Sequence, residues 1–224
     1  MLKEVAEASS SNSNMSVFLY VIVTFMVLMF LLRALIGYKK YRTSIFPHLY
    51  DNYLIDYFYK LNVFRDASKS ALLKKLIGYH RLVYSNISDK EGKLVNQIVT
   101  LIHSKGILVI DYVNPHGVVK GGDSGNWFVT RDGKDGKKKY KIPNPITTLR
   151  EFDTHLRKVT DGKYTQKVVA IGDDCDTHEI HITTPLVTYS QIQDHIKEAD
   201  CGYGLNDAEI DELFEKLGGK IDRK

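Results

Sequence analysis

From Val17 to Leu32 the chain reads VFLYVIVTFMVLMFLL, an apolar run with no charged residue and no polar face. A helix advances about 1.5 Å per residue, so roughly 20 such residues cross the hydrocarbon core of a bilayer. The stretch from Met15 to Gly37 meets that length with one charge, Arg33, placed where its long stem reaches the headgroups. A buried soluble helix would show a polar face, which this run lacks. A cleaved signal peptide would have a shorter apolar core followed by small residues, and Arg33 stands where that cleavage site would fall. The expectation is one transmembrane helix over 15–37, preceded by a short extracytoplasmic tail over 1–14.

Flanking charge sets the expected orientation. Lys3, Glu4 and Glu7 precede the span, whereas Arg33, Lys39, Lys40 and Arg42 lie at or beyond its far end. The positive-inside rule then places the N-terminus outside and the C-terminal part in the cytoplasm, at the cell membrane. The 224 residues carry 31 Lys+Arg against 27 Asp+Glu, a surplus of +4. So mild an excess does not argue for nucleic-acid binding by itself, which needs a concentrated basic face. A hydrophobic content of 43% excludes a disordered chain. The two cysteines, Cys175 and Cys201, fit free thiols in a reducing compartment, and the sequence holds no CxxC, zinc-type Cys/His spacing or P-loop.

After the span, residues 38–63 form an aromatic juxtamembrane segment, YKKYRTSIFPHLYDNYLIDYFYKLNV. Two readings stand: part of it lies along the lipid surface, or a helix over about Leu49 to Leu61 packs its aromatic face on the soluble domain. Ala67–Ile77 is an amphipathic helix by its spacing. Short runs rich in β-branched and aromatic residues then predict strands over Tyr79–Asn86, Leu94–Ile102, Ile107–Val113, Val118–Lys120, Asn126–Arg131 and Lys137–Ile142. Asp132–Gly136, DGKDG, reads as a hairpin turn. A helix over Ile146–Val159, strands at Lys167–Ile171 and Glu179–Ile182, and helices over Tyr189–Glu198 and Asn206–Leu217 complete an α/β (α+β) domain.

The run GILVIDYVNPHGVVKGG from Gly106, then Trp127, then Tyr140-Lys141 and Asn144-Pro145-Ile146 before a helix, resembles the NERD (nuclease-related) family. The similarity covers about residues 64–217, with 218–224 left as a tail. It implies a restriction-endonuclease-like mixed sheet flanked by helices, related to the PD-(D/E)xK nucleases. In such enzymes carboxylates hold Mg²⁺, which prefers oxygen ligands and polarises a phosphodiester, while a lysine stabilises developing charge. The resemblance implies a glutamate in the first helix, an aspartate on one strand, and an E-x-K pair on the next.

This chain departs at nearly all of those positions. Asp111 replaces the strand glutamate, and Val113 stands where the lysine is expected. The aspartate position falls on Ile98 or Val99, and Ser68-Lys69-Ser70 occupies the place of a Gly-Glu pair. Valine and isoleucine can neither coordinate a cation nor carry a proton. Lys105 and Lys120 are the neighbouring lysines weighed as substitutes. The reading is a catalytically degenerate nuclease relative without a metal site, serving in nucleic-acid or protein binding near the membrane. The alternative is an active Mg²⁺-dependent nuclease with relocated ligands around Asp111.

Two further clusters bear on chemistry. Asp173 to His181, DDCDTHEIH, gathers possible metal ligands, but it reads more simply as an exposed acidic loop joining two strands. His178 and His181, three apart on a strand, face opposite sides. The basic hairpin Arg131, Lys134, Lys137, Lys138, Lys139 and Lys141 is a candidate contact for nucleic-acid phosphate or lipid headgroups. It also reads as a charged edge that blocks strand pairing. His103, His116 and His155 have no nearby serine or cysteine motif to suggest a triad. For the orientation, a reporter fused after Lys224 is expected to be active only on the cytoplasmic side; activity confined to the outer side would contradict it.

Overall fold

A computed structural model describes residues 2–60, 67–88, 94–133 and 136–218. The chain divides into an N-terminal helical unit, Met1–Lys40, and a compact unit, Tyr41–Lys224. Helix α1 runs Leu2–Arg42, so the stretch expected as a tail continues the helix. Its section Val17–Arg42 is long and apolar enough to cross a membrane. The large side chains from Val17 to Leu32 are all exposed, as a lipid-facing helix requires.

In the compact unit, a five-stranded sheet has the order β1-β2-β3-β7-β9. Its strands are β1 (His80–Ser88), β2 (Leu94–His103), β3 (Gly106–Val113), β7 (Thr165–Ile171) and β9 (Leu186–Thr188). The first three form an antiparallel meander, and β7 and β9 add in parallel to β3. Helix α4 (Pro145–Val159) lies in the crossover from β3 to β7. A four-stranded sheet, β6-β5-β4-β8, holds β4 (Gly117–Gly122), β5 (Trp127–Gly133), β6 (Gly136–Ile142) and β8 (Cys175–His181). The result is a mixed α/β fold with two mixed sheets.

Both faces of the five-stranded sheet are covered, which is why β3 reads as a continuous apolar run rather than an alternating one. On one face, Ile98, Ile107, Val109 and Val169 pack with Trp127 and Val129 of the small sheet. The same core takes in Ile146 and Leu149 of α4 and Ile210 and Phe214 of α6 (Asp207–Lys216). Arg81 on β1 clamps α6 to that face. Its Nε donates to Asp211 Oδ1 at 2.7 Å, and its guanidinium lies 5.3 Å from the Phe214 ring centre.

The opposite face is covered by the last residues of α1 and the segment that follows it. Tyr41, Ile45, Leu49, Tyr50, Tyr53 and Phe58 are all buried. The Phe46 ring meets Tyr57, Tyr84 and Tyr112 at 4.9, 6.0 and 6.0 Å between centres. Tyr50 and Tyr84 share a 2.6 Å hydroxyl contact. The aromatic segment therefore packs on the domain, but not as the expected Leu49–Leu61 helix. A short helix, α2 (Phe46–Leu49), ends at the extended residue Tyr50, and a π-helical turn follows over Tyr53–Phe58. The break arises because the Asn52 side chain accepts from Leu54 N and Ile55 N, starting a new turn there.

Other boundaries shift for similar reasons. Helix α3 covers Ala71–Ile77 instead of Ala67–Ile77, because Ser70 is extended and its hydroxyl caps Leu73 N at 3.1 Å. The segment expected as an acidic loop is mostly strand: Cys175–His181 is β8, joined to β4 in parallel. Tyr189–Glu198 divides into a 3₁₀ turn at Tyr189–Gln191 and helix α5 (Ile192–Glu198). The expected turn residues 89–93 and the tail residues 219–224 lie outside the described residues.

His80 and His103 face each other across β1 and β2, and both are buried. Burial lowers both from the ordinary imidazole value, His103 to about 4. An unfolded histidine takes its proton near 6.5, so below that pH the unfolded chain binds more protons than the folded one. Stability is therefore expected to be complete above pH ~6.5 and to fall as pH drops toward about 4. Denaturant titrations of the detergent-solubilised chain, followed by fluorescence of its one tryptophan, Trp127, read this directly. His103→Gln is expected to flatten the slope; an unchanged slope would assign it to other groups.

Candidate functional site

Asp111 is fully buried on β3, the central strand of the large sheet. The register places Ile98 directly opposite it on β2 and Val169 beside it on β7. Partners in register share a face, so Asp111 lies in a row between two apolar side chains. Val109 and Val113, two residues away along β3, occupy the same face. Val99 pairs with Ile110 and belongs to the other face, so Ile98 is the residue that stands beside Asp111. None of these four neighbours offers an oxygen to a cation.

The next row on this face reads Thr100–Val109–Lys167. Lys167, which the sequence did not single out, is thus the lysine nearest in register to Asp111. Its ammonium is held by Asp153 of α4, Nζ to Oδ2 3.1 Å. The other Asp153 oxygen accepts from Thr165 at 2.6 Å, and Arg157 Nε donates to Oδ2 at 3.1 Å. Although burial alone would raise it, these partners hold the Asp153 carboxyl below the usual carboxylate range. Neither lysine weighed from the sequence stands beside Asp111. Lys105 precedes β3 at its opposite end and donates to Lys197 O. Lys120 on β4 pairs with Glu179 of β8 at 3.1 Å.

Ser68 and Ser70, at the place of the expected Gly-Glu pair, are buried in structural roles. Ser70 donates to Leu49 O and caps α3, while Ser68 O accepts from Leu82 N at 2.8 Å. Among the described residues, no group of three or more His, Cys, Asp or Glu side chains gathers closely enough to hold a metal ion. The residues around Asp111 therefore do not fit Mg²⁺. On β8, His178 Nδ1 and Asp176 Oδ1 lie 2.5 Å apart, and that carboxylate raises the exposed imidazole above its ordinary value.

Three of the residues quoted for the resemblance, Gly121, Trp127 and Asn144, meet in one structural node. Gly121 lies under the Trp127 indole: a Cβ there would sit 2.3 Å from the ring. Gly117 has φ +117°, and its Cβ would come within 2.3 Å of Thr130 O. Trp127 Nε1 donates to Gly122 O at 3.0 Å, and Asn144 Nδ2 donates to the same carbonyl at 3.1 Å and to Gly125 O at 2.9 Å. The Asn144 oxygen caps α4 by accepting from Ile146 N, and Pro145 opens that helix.

Lys137, Lys138, Lys139 and Lys141 of the basic hairpin lie on the small sheet's edge strand, β6, and Arg131 lies on β5. Lys137, Lys139 and Lys141 share one face with their register partners Asp132, Thr130 and Phe128, away from the inward Trp127 and Val129. Lys139 Nζ lies 4.6 Å from the Phe128 ring centre. Arg131 and Lys138 pair on the other face, where both are exposed. Lys134 lies outside the described residues.

No family model, curated protein or solved structure matches this chain. Since the Asn144 side chain joins the small sheet to α4 through three hydrogen bonds, Asn144→Ala is expected to lower stability by about 2–3 kcal/mol. Asn144→Asp keeps the cap but not the donor, so its loss should be smaller. Equal losses in denaturant midpoints would show that the cap contributes nothing.

Proposed function

We propose that this chain is a single-pass membrane protein whose compact unit lies in the cytoplasm and is a non-catalytic relative of the nuclease-related family. The order of elements supports the relationship: helix α3, three antiparallel strands, helix α4, then a strand parallel to the third. The node of Gly121, Trp127 and Asn144 supports it too, because it gives these three motif residues packing or capping roles. Lys39, Lys40 and Arg42 support the orientation.

The observation that carries the loss of catalysis is the row Ile98–Asp111–Val169. A phosphodiesterase of this kind needs converging oxygens for its cation, and one carboxylate between aliphatic side chains does not supply them. The Asp153–Lys167 pair does not repair the site, because it spends its charge joining α4 to β7. Binding is the remaining role. Lys137, Lys139 and Lys141, on one face with Phe128, suit a single-stranded nucleic acid: lysines for phosphates and a ring for a base.

The full chain, purified in detergent with Mg²⁺ or Mn²⁺, is expected to leave DNA and RNA uncut. Metal-dependent cleavage abolished by Asp111→Ala or Lys167→Ala would restore the enzyme. Retention of single-stranded oligonucleotide should weaken with salt, the logarithmic slope being about −2 for three phosphate contacts. Replacing Lys137, Lys139 and Lys141 by alanine should remove most of that slope. No retention at low salt would transfer the binding role to a protein partner.

A further inference from the structure

The π-helical turn Tyr53–Phe58 has two unlike sides. Its inner side chains, Tyr53, Asp56 and Phe58, are buried. Leu54 and Ile55 instead point outward, 56% and 73% exposed, and Tyr59 directly after the turn is 46% exposed. Neighbouring large apolar side chains at this exposure are uncommon on a compact unit, where strays are usually single. The nearby acid does not make this side polar. Asp56 turns inward, accepting from Asp51 N and Ala71 N and pairing with Lys60.

The position of the turn indicates what covers these side chains. Tyr41 is the first residue of the compact unit and the second-last of the apolar helix section Val17–Arg42. Its ring packs 5.1 Å from Tyr53 and 4.9 Å from Tyr57, centre to centre, and its hydroxyl donates to Tyr50 O at 3.1 Å. The point where the chain leaves the apolar helix is thus fastened to the turn that carries Leu54 and Ile55. Tyrosine, leucine and isoleucine at that level, flanked by Lys39, Lys40 and Arg42, match the chemistry of the headgroup–acyl boundary.

We propose that Leu54, Ile55 and Tyr59 insert into the interfacial layer of the same bilayer that the N-terminal helix crosses. The proposal relies on the reading of Val17–Arg42 as a span, and its test separates the two.

The experiment uses the full chain in vesicles of phosphatidylcholine and phosphatidylglycerol, with Cys175→Ser removing the less buried of the two thiols. A nitroxide is attached at Ile55→Cys, at Met26→Cys within the span, and at Thr154→Cys on the exposed side of α4. Collision with oxygen, which concentrates in lipid, is compared with collision with a water-soluble nickel chelate. The Met26 and Ile55 labels are expected to be severalfold more accessible to oxygen than to nickel, and the Thr154 label the reverse. An Ile55 label open to nickel beside a lipid-buried Met26 label overturns the interfacial contact and leaves the span intact. Nickel access at Met26 as well overturns both.

Discussion

The carbonyl of Gly122 receives two hydrogen bonds, from the Trp127 indole and from the Asn144 amide. Much of the compact unit depends on that meeting. Trp127 is fully buried and anchors the small sheet in the shared core. Asn144 starts α4, which packs on β3 and β7. Because one backbone oxygen joins both, the small sheet and α4 are set together against one face of the large sheet. Gly121 makes the arrangement possible, since any side chain there would occupy the space of the indole. On the far side of α4, Asp153 fastens the helix to β7 through Thr165 and Lys167. Asp111 is fully buried on the face that this assembly covers.

The other face of the sheet has a different origin. It is closed by tyrosine and phenylalanine rings from Tyr41 onward, so the chain leaving the apolar helix is itself part of the core. Tyr41, Phe46, Tyr50 and Tyr57 form a connected aromatic layer over Tyr84 and Tyr112. Burial pushes the Tyr57 hydroxyl up to about 12, so it stays neutral throughout the physiological range. A layer of neutral phenols can pack tightly while the Tyr50, Tyr84 and Tyr112 hydroxyls still find partners in Ala67 O and Gln97. Severing the domain from residues 41–58 would expose this face. The segment after the apolar helix is therefore as much a fold element as a linker.

Much of this was legible in the sequence because it depended on local pattern. The unbroken apolar run gave the helix Val17–Arg42. The runs at 94–102 and 107–113 gave β2 and β3, and Asn144-Pro145 gave the start of α4. The partition into two sheets was not legible, since alternation tells which side of a strand is buried but not which sheet receives it. For that reason the pattern alone shows a strand only over Glu179–Ile182, and the pairing with β4 extends it back to Cys175. The three-residue strand β9 is too short to leave a pattern. The π-helical turn depends on the Asn52 cap and on packing by the Tyr41 and Phe46 rings from earlier in the chain. At the site, Asp111 was visible as a carboxylate in an apolar strand, but only the register selects Ile98 over Val99 as its neighbour. Lys167 and Asp153 lie fourteen residues apart and were invisible as a pair until the crossover brought them together.

The central claim is that the carboxylate of the middle strand belongs to a packed core and not to a metal site. The most direct measurement is a calorimetric titration of Mn²⁺ into the full chain in detergent, run beside Asp111→Ala. The account predicts no saturable binding that the substitution removes. A saturable site present in the parent chain and lost in Asp111→Ala would contradict it.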